Sequence, residues 1–324
     1  MDIIRRTSRA LERLVFGSSE FHQQCAVGLC NPQAEVSVQL HGLGAPCDVT
    51  ERNVIAAARP LTIGIGGPFG PTMHRRSQAS LNFYERGGKK RLLGVIGLRL
   101  KETIPLGGEQ LCLFETRDCR NHCLPWGQLW ARYLQQSYKQ WRSRRRCNAS
   151  GFRMVRRELH SVFVFYICPR PVVLVTVVDG DLVNLFPMDL IGPVGTQHFS
   201  LALHSTSAAV PLVERSRRIA LSSVPVEQSS VAIELGQNHK KSGIDRARLP
   251  FATTATPVLG LPVPRFSLRV REMEIEAARD LGSHRFFLAR TLSDQRWADG
   301  SQLFFIHGSY QVWRQHNELG RFSS

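Results

Sequence analysis

The chain has 324 residues, 43% of them hydrophobic and 21% charged, which is the composition of a globular protein able to bury one or two cores. No stretch reaches the roughly 18 uninterrupted apolar residues that a membrane-spanning helix needs, and the N-terminus lacks the apolar core and cleavage site of a secretory signal. These features predict a cytoplasmic protein without a transmembrane segment, in which the eight cysteines stay reduced.

The net charge of +16 is concentrated in the first half, where residues 1–150 contain 22 Lys and Arg against 11 Asp and Glu. Part of this excess is a cluster formed by Arg142, Arg144, Arg145 and Arg146. Such a cluster can attract nucleic acid or another acidic partner through counterion release. A solvated helix end, whose cations complement the helix dipole, is the favoured interpretation.

The first half alternates strand-like runs with glycine and proline clusters, after a short amphipathic helix expected over residues 1–16. The predicted strands of a small antiparallel unit cover residues 35–40, 61–65, 80–84, 92–100 and 109–114. Trp130, Tyr133, Tyr138 and Trp141 then recur at helical spacing, which predicts a helix over residues 124–141. Aromatic side chains beside arginines could stack on nucleic acid, although their spacing favours a core face.

A small, polar stretch over residues 147–151 predicts a domain border near residue 150. We therefore expect a basic α+β region of unknown function over residues 1–150 and a second domain over residues 151–324. No internal repeat is evident in the sequence.

The second half is a dense succession of predicted strands. They cover residues 161–167, 172–178, 182–188, 199–204, 219–224, 266–275, 286–292 and 302–306, and two helices are expected near residues 207–218 and 227–235. Asp179-Gly180 is the strongest hairpin signal. The alternation of apolar residues slips by one across Arg271-Glu272, which predicts a β-bulge in a long strand.

One tetrapeptide suggests an anion site. His204-Ser205-Thr206-Ser207 ends a predicted strand and begins a predicted helix, where hydroxyls and free backbone N–H groups would converge at the positive end of the helix dipole. Capping of the helix by Ser207 is the alternative interpretation.

Five segments of the second half, in this order, resemble the flavin reductase-like family of FMN-binding split barrels. They are LVTVVDGDLVNLFPM, FSLALHSTS, KKSGID, GSHRFFLA and LFFIHGSY, and the resemblance spans residues 163–310 but not residues 1–150. It implies a mainly β fold, a Greek-key antiparallel barrel with short helices, preceded by the α+β region. It also implies a homodimer that completes the pocket.

The resemblance assigns roles to particular residues. The flavin ring would lie against the strand formed by Asn184, Leu185, Phe186, Pro187 and Met188, partly through backbone groups. The ribityl phosphate would be held by Ser205, Thr206 and Ser207, and Lys240 and Lys241 would screen a phosphate or form a solvated basic loop.

The candidate catalytic residue is His284. The family commonly has Gly-Asp-His before its penultimate strand, with the histidine near the nicotinamide or substrate, whereas this chain has Gly282-Ser283-His284. Without the acid, the partner that would orient or charge the imidazole is missing, so a structural histidine is an open alternative.

A metal site is not predicted, although Cys112, Cys119, His122 and Cys123 offer soft ligands within a short span. No Cys-x-x-Cys pair is present, and adjacent His122 and Cys123 rarely chelate one ion, so buried thiols are favoured.

Two functions follow from these observations. The first is an FMN-dependent oxidoreductase, in which NADH or NADPH reduces the flavin and electrons pass to an acceptor that the sequence does not identify. The second is a non-catalytic flavin- or anion-binding module whose basic N-terminal half binds a protein, nucleic acid or membrane partner.

Overall fold

A computed structural model describes residues 24–30, 35–69, 78–87, 89–145, 155–245 and 249–317. The helix expected over residues 1–16 and the border expected near residue 150 lie outside these residues.

The first half forms an antiparallel sheet of seven strands, here named the N-terminal sheet. Its strands and the preceding one are β1 (Gln24–Leu29), β2 (Val36–His41), β3 (Cys47–Asp48), β4 (Asn53–Ala58), β5 (Leu61–Gly67), β6 (Gln78–Glu85), β7 (Leu92–Leu106) and β8 (Glu109–Asn121). The spatial order is β3-β2-β6-β7-β8-β5-β4, with β1 outside the sheet. The sheet has more strands than the sequence predicted. Strand β4 was missed because it is rich in alanine and gives a weak strand signal.

Two helices connect the halves. The first, α1 (Trp126–Arg145), confirms the predicted amphipathic helix. The second, α2 (Arg156–Phe165), corrects a prediction, because residues 161–167 were expected to be a strand. The β-branched and aromatic run in this region favours a strand locally, but Glu158 caps the helix by accepting from the Val155 N–H, and α2 buries its apolar face against β7 and β8.

The second half forms another antiparallel sheet of seven strands, here named the C-terminal sheet. Its elements and their neighbours are β9 (Arg170–Pro171), β10 (Val173–Asp179), β11 (Leu182–Met188), β12 (Ile191–Pro193), β13 (His198–His204), α3 (Ala209–Ser216), β14 (Arg218–Ser223), α4 (Ser229–Leu235), β15 (Thr253–Ala255), β16 (Pro262–Pro264), β17 (Arg269–Leu281), β18 (His284–Arg296), β19 (Gln302–His307) and α5 (Gly308–His316). The order is β11-β10-β14-β17-β18-β13-β12.

Both local predictions for this sheet are confirmed. Asp179 pairs with Leu182 in the β10–β11 hairpin, and Gly180 takes the positive φ of 58° that the tight turn requires. The ladder between β17 and β18 shifts its register between Glu272 and Met273, at the place where the alternation of apolar residues slips.

The two sheets repeat one topology. Numbered from their first strands, both have the order second, first, fifth, sixth, seventh, fourth, third. The sequence shows no repeat, so this correspondence is visible only in the structure. The seven-stranded unit therefore occurs twice in the chain.

The two sheets share buried apolar surface. Side chains of β4, β7 and β8 form one cluster with Val194, Leu281, Phe286 and Leu288 of the C-terminal sheet. Strand β19 also pairs with β1 and β9, so a strand of the second half forms a small sheet with the first described strand of the first half. Within the described residues, no helix is long and apolar enough to span a membrane.

Candidate functional site

Asn184 is a fully buried structural residue at the centre of β11. Its Nδ2 donates to the carbonyl oxygens of Lys241 (2.8 Å) and Asn238 (3.2 Å), and its Oδ1 accepts from the Leu185 N–H (2.8 Å). The amide thereby attaches β11 to the segment that follows α4. Its side chain is fully used within the protein.

The rest of the predicted ring-binding strand also lies mostly inside the protein. Leu185 and Phe186 belong to the hydrophobic cores, and Met188 is 6% exposed. Pro187 is half-buried, and its carbonyl oxygen accepts a hydrogen bond from His239 Nε2 (2.8 Å). A flat ligand at this strand would therefore contact Pro187 and the strand end rather than the side chains of Leu185 and Phe186.

The hydroxyl loop, residues 205–207, connects β13 to α3. Ser205 and Thr206 are exposed, while the Ser207 hydroxyl donates to the carbonyl oxygen of His239 (3.0 Å). The backbone N–H groups expected to be free all donate hydrogen bonds within the protein. Those of Ser205, Ser207 and Ala208 donate to the carbonyl oxygens of Ser283, His204 and His239, respectively. Those of Thr206 and Ala209 donate to the side-chain atoms His204 Nδ1 and Ser207 Oγ. The expectation of free N–H groups is thus wrong, and an anion here would be held by side chains.

The two candidate lysines lie beside this loop. A 3-10 turn, Gly236–Lys240, follows α4 and places His239 against both Ser207 and Pro187. Lys240 and Lys241 are exposed, and Lys241 Nζ donates to Asn238 Oδ1 (3.1 Å). The structure therefore brings cations and hydroxyls to the same end of the C-terminal sheet.

His284 begins β18 and lies opposite His204 of β13, with their ring centres 5.5 Å apart. The imidazole is 4% exposed, its Nδ1 accepts from the Ala58 N–H (3.5 Å), and Ser283 Oγ lies 2.9 Å from the same nitrogen. Burial, with a smaller effect from His204, lowers the pKa of His284 to about 4. The side chain is therefore neutral at pH 7.

Two further residues at this end were missed by the sequence analysis. His239 links the 3-10 turn to the hydroxyl loop, and burial lowers its pKa. Asp189, just beyond β11, accepts from the Tyr166 hydroxyl (2.7 Å), and burial raises its pKa. Both are adjacent in sequence to predicted residues, Lys240 and Met188, and that adjacency was the available signal.

A separate cleft of about 320 Å³ lies between the halves and is lined by none of the predicted site residues. It contains the side chains of Arg170, Arg269 and Arg271. Arg269 and Arg271 share the single carboxylate of Asp294, and Glu51 also lines the cleft, so the three arginines exceed the two carboxylates by one positive charge. Its chemistry suits an anion.

The cysteine-rich segment folds as part of the N-terminal sheet. Burial raises the pKa of the Cys112 thiol to about 12 and raises the pKa of Cys123 and Cys119 as well. Among the described residues, no three His, Cys, Asp or Glu side chains come together as metal ligands.

The aromatic residues of α1 divide between the interior and the surface: Tyr133 is buried, whereas Trp126 is exposed. Tyr133 stacks on His160 and Phe163, and the Arg156 guanidinium lies 4.2 Å from the Trp130 ring. Tyr138 is exposed. The side chains of the arginine cluster at residues 142–146 lie outside the described part of the chain.

The curled antiparallel C-terminal sheet, with short helices and candidate residues at one end, has the split-barrel architecture. Residues 165–314 match the family model described as "Flavin reductase like domain". The C-terminal half of the chain therefore carries a flavin reductase-like domain, as the sequence resemblance predicts.

Several solved structures are similar to part of the chain. An FMN-binding protein from Thermus thermophilus is 19% identical, with 44% of this chain and 83% of that chain covered and a TM-score of 0.38. The NADH:FAD oxidoreductase of Streptomyces globisporus is 18% identical, with 48% and 93% covered and a TM-score of 0.42. The styrene monooxygenase flavin reductase of Pseudomonas putida S12 is 16% identical, with 45% and 91% covered and a TM-score of 0.38. No curated protein matches the chain.

Proposed function

We propose that the C-terminal sheet binds FMN, which a nicotinamide dinucleotide reduces before the electrons pass to an acceptor. The observation that supports this function best is the convergence of the predicted residues. Strand β11, the hydroxyl loop, the lysines and His284 are separate in sequence but meet at one end of a flavin reductase-like domain.

The residues at this end fit a phosphorylated flavin through their side chains. The exposed hydroxyls of Ser205 and Thr206 would donate hydrogen bonds to the phosphate oxygens, with Lys240 and Lys241 providing charge. The half-buried ring of Pro187 would provide an apolar surface for the flavin. The flavin itself supplies the hydride-accepting chemistry.

FMN is the proposed form because Ser207 is engaged within the protein and the loop offers a phosphate only the two exposed hydroxyls. His239 accepts hydrogen bonds from both Ser207 and the Ala208 N–H, which leaves the exposed hydroxyls as a compact single-phosphate site. The donor, NADH or NADPH, would approach on the side of His284. As a neutral imidazole, His284 would orient a ligand by hydrogen bonding rather than supply a charge.

A second candidate function is supported by the arginine-lined cleft. A flavin- or anion-binding module without catalysis would use Arg170, Arg269 and Arg271 to hold an anionic ligand between the two halves. We further propose a cytoplasmic location, in which thiols such as Cys112 and Cys123 stay reduced.

The test is an absorbance spectrum of the purified chain with FMN, followed by anaerobic addition of NADH or NADPH. We expect a bound-flavin band at about 450 nm that bleaches with one of the two donors. The double variant Ser205→Ala/Thr206→Val should retain little flavin, while Ser216→Ala, at the far end of α3, should bind as the native protein does. Bound flavin that neither donor reduces and that the double variant retains would favour the non-catalytic module at the arginine-lined cleft. Absence of FMN binding would contradict the proposed FMN site.

A further inference from the structure

The two sheets contact each other reciprocally through the same pair of turns. The turn between β4 and β5 lies against the turn between β17 and β18, where Ser283 N donates to the Arg59 carbonyl oxygen (2.8 Å). The turn between β12 and β13 lies in the same way against the turn between β7 and β8, where Thr196 N donates to Glu109 Oε2 (2.6 Å). Such a reciprocal exchange of equivalent surfaces is the arrangement of a two-fold symmetric dimer.

The equivalent turns correspond residue by residue. The β7–β8 turn is Leu106-Gly107-Gly108-Glu109, and the β17–β18 turn is Leu281-Gly282-Ser283-His284. Gly107 and Gly282 have nearly the same positive φ, 59° and 58°. A Cβ on Gly282 would lie 2.0 Å from the Arg59 carbonyl oxygen, so glycine permits both the turn and the close approach.

Among the described residues, the N-terminal sheet lacks counterparts of three parts of the site in the C-terminal sheet: the long β11, the connection that contains the lysines, and His284. Strand β3 has two residues where its counterpart β11 has seven. Residues 86–91 alone connect β6 to β7, whereas residues 224–268, which include the lysines, connect β14 to β17. The position equivalent to His284 is Glu109, which is paired with Arg52 (2.6 Å).

We propose that the N-terminal sheet is a built-in partner subunit, so that one chain completes a single flavin site without a second copy. The reciprocal contacts between the turns support the pairing of the sheets. The position of the flavin depends on the proposed function. The homodimer expected from the sequence is thereby replaced by two halves of one chain.

The N-terminal sheet contributes Arg59 to this site. Two backbone hydrogen bonds in series join Arg59 to the hydroxyl loop, because Ser283 N donates to Arg59 O and Ser205 N donates to Ser283 O (3.0 Å). Arg59 itself is exposed. Its backbone is thus two hydrogen bonds from the hydroxyl loop and its side chain is accessible to solvent, so the guanidinium could reach a phosphate at Ser205 and Thr206, and its fork of donors suits a phosphate.

The first test measures mass and flavin stoichiometry together, by sedimentation equilibrium of the full chain during titration with FMN. We expect the 36.5 kDa monomer at all concentrations, with one FMN per chain. A dimer that loses flavin on dilution, or two flavins per chain, would overturn the inference. A monomer that binds no flavin would refute the proposed function while supporting the built-in partner.

The second test compares Arg59→Ala with Arg99→Ala, an exposed arginine of the N-terminal sheet that pairs with Glu115. We expect Arg59→Ala to weaken FMN binding about tenfold, the size of one charge-assisted hydrogen bond, without changing riboflavin binding or the mass. Arg99→Ala should bind both flavins as the native chain does. Native FMN affinity in Arg59→Ala would overturn the contribution of Arg59.

Discussion

The chemistry of His284 depends on the side chains that surround it more than on the motif that contains it. A serine occupies the place of the acid that the family commonly has before the histidine, and the imidazole is buried between Ser283, His204 and the turn that ends β4. Burial favours the neutral form, because a charge in this position would lose its hydration. The sequence identified the position, but the protonation state required the fold.

This neutrality predicts a pH dependence of stability. The pKa of His284 falls from 6.5 to about 4 on folding, so the folded protein binds fewer protons and the stabilisation is complete only above pH 6.5. It is lost as the pH falls towards 4, by about 3 kcal/mol in full. His284→Gln should make the free energy of unfolding depend less on pH between these two values, as measured by urea denaturation.

The control for this experiment is His122→Gln, at an exposed histidine of the N-terminal half. It should keep the native pH profile. A residual slope will remain in both variants, because burial also lowers the pKa of His160 to about 4. An unchanged slope in His284→Gln would contradict the neutral assignment.

At the scale of the elements, the sequence predicted the strands with clear patterns and failed where packing decided. Strands β10, β11 and β13 follow their predicted spans closely, because apolar runs and the Asp179-Gly180 turn define them locally. The strand predicted over residues 161–167 is the helix α2 instead, since its apolar face packs against β7 and β8. The resemblance located the site residues, but the role of His239 depends on a turn that no pattern specified.

A substitution at Asn184 tests whether this side chain attaches β11 to the turn that contains the lysines. Replacing it by Leu leaves the carbonyl oxygens of Asn238 and Lys241 without their donor, which should destabilise the fold by about 2–3 kcal/mol. We also expect faster proteolytic cleavage near Lys240, because the turn loses its attachment to β11. Urea denaturation and limited trypsin digestion measure the two effects.

A matched control is Asn82→Leu in the N-terminal sheet, where the amide is only half-buried and donates to Tyr84 (3.3 Å). It should cost less than about 1 kcal/mol and leave cleavage near Lys240 unchanged. If both variants accelerated that cleavage equally, general destabilisation rather than the Asn184 bridge would be the cause.

At the scale of the whole molecule, the repeated topology was invisible in the sequence for a physical reason. Strand order depends on backbone pairing, which many different side-chain patterns allow. The two sheets also differ in length, most of all in their second strand and in the connection between their fifth and sixth strands. The equivalent turns even carry different side chains, the carboxylate of Glu109 in one and the neutral imidazole of His284 in the other. Only the structure reveals the relationship, through the common strand order and the reciprocal contacts.

The shared cores also determine how the molecule should unfold. Residues after α1 supply much of the core of the N-terminal sheet: Val164, Phe165, Ile167, Phe304, Ile306 and Tyr310. Each buried apolar side chain of this size contributes about 1.5–3 kcal/mol, so together they match the net stability of a typical domain. We therefore expect the full chain to unfold in one transition, with coincident circular dichroism and tryptophan fluorescence curves in urea.

A fragment that contains only residues 155–324 should fail to fold, even though it includes the whole flavin reductase-like domain. Without the N-terminal sheet it exposes these side chains together with Leu281, Phe286 and Leu288 of the cluster between the sheets. We expect weak near-ultraviolet circular dichroism, binding of a hydrophobic dye and aggregation at micromolar concentration. A soluble fragment with a cooperative urea transition would show that the two sheets are independent domains, and the single transition of the full chain would then need another cause.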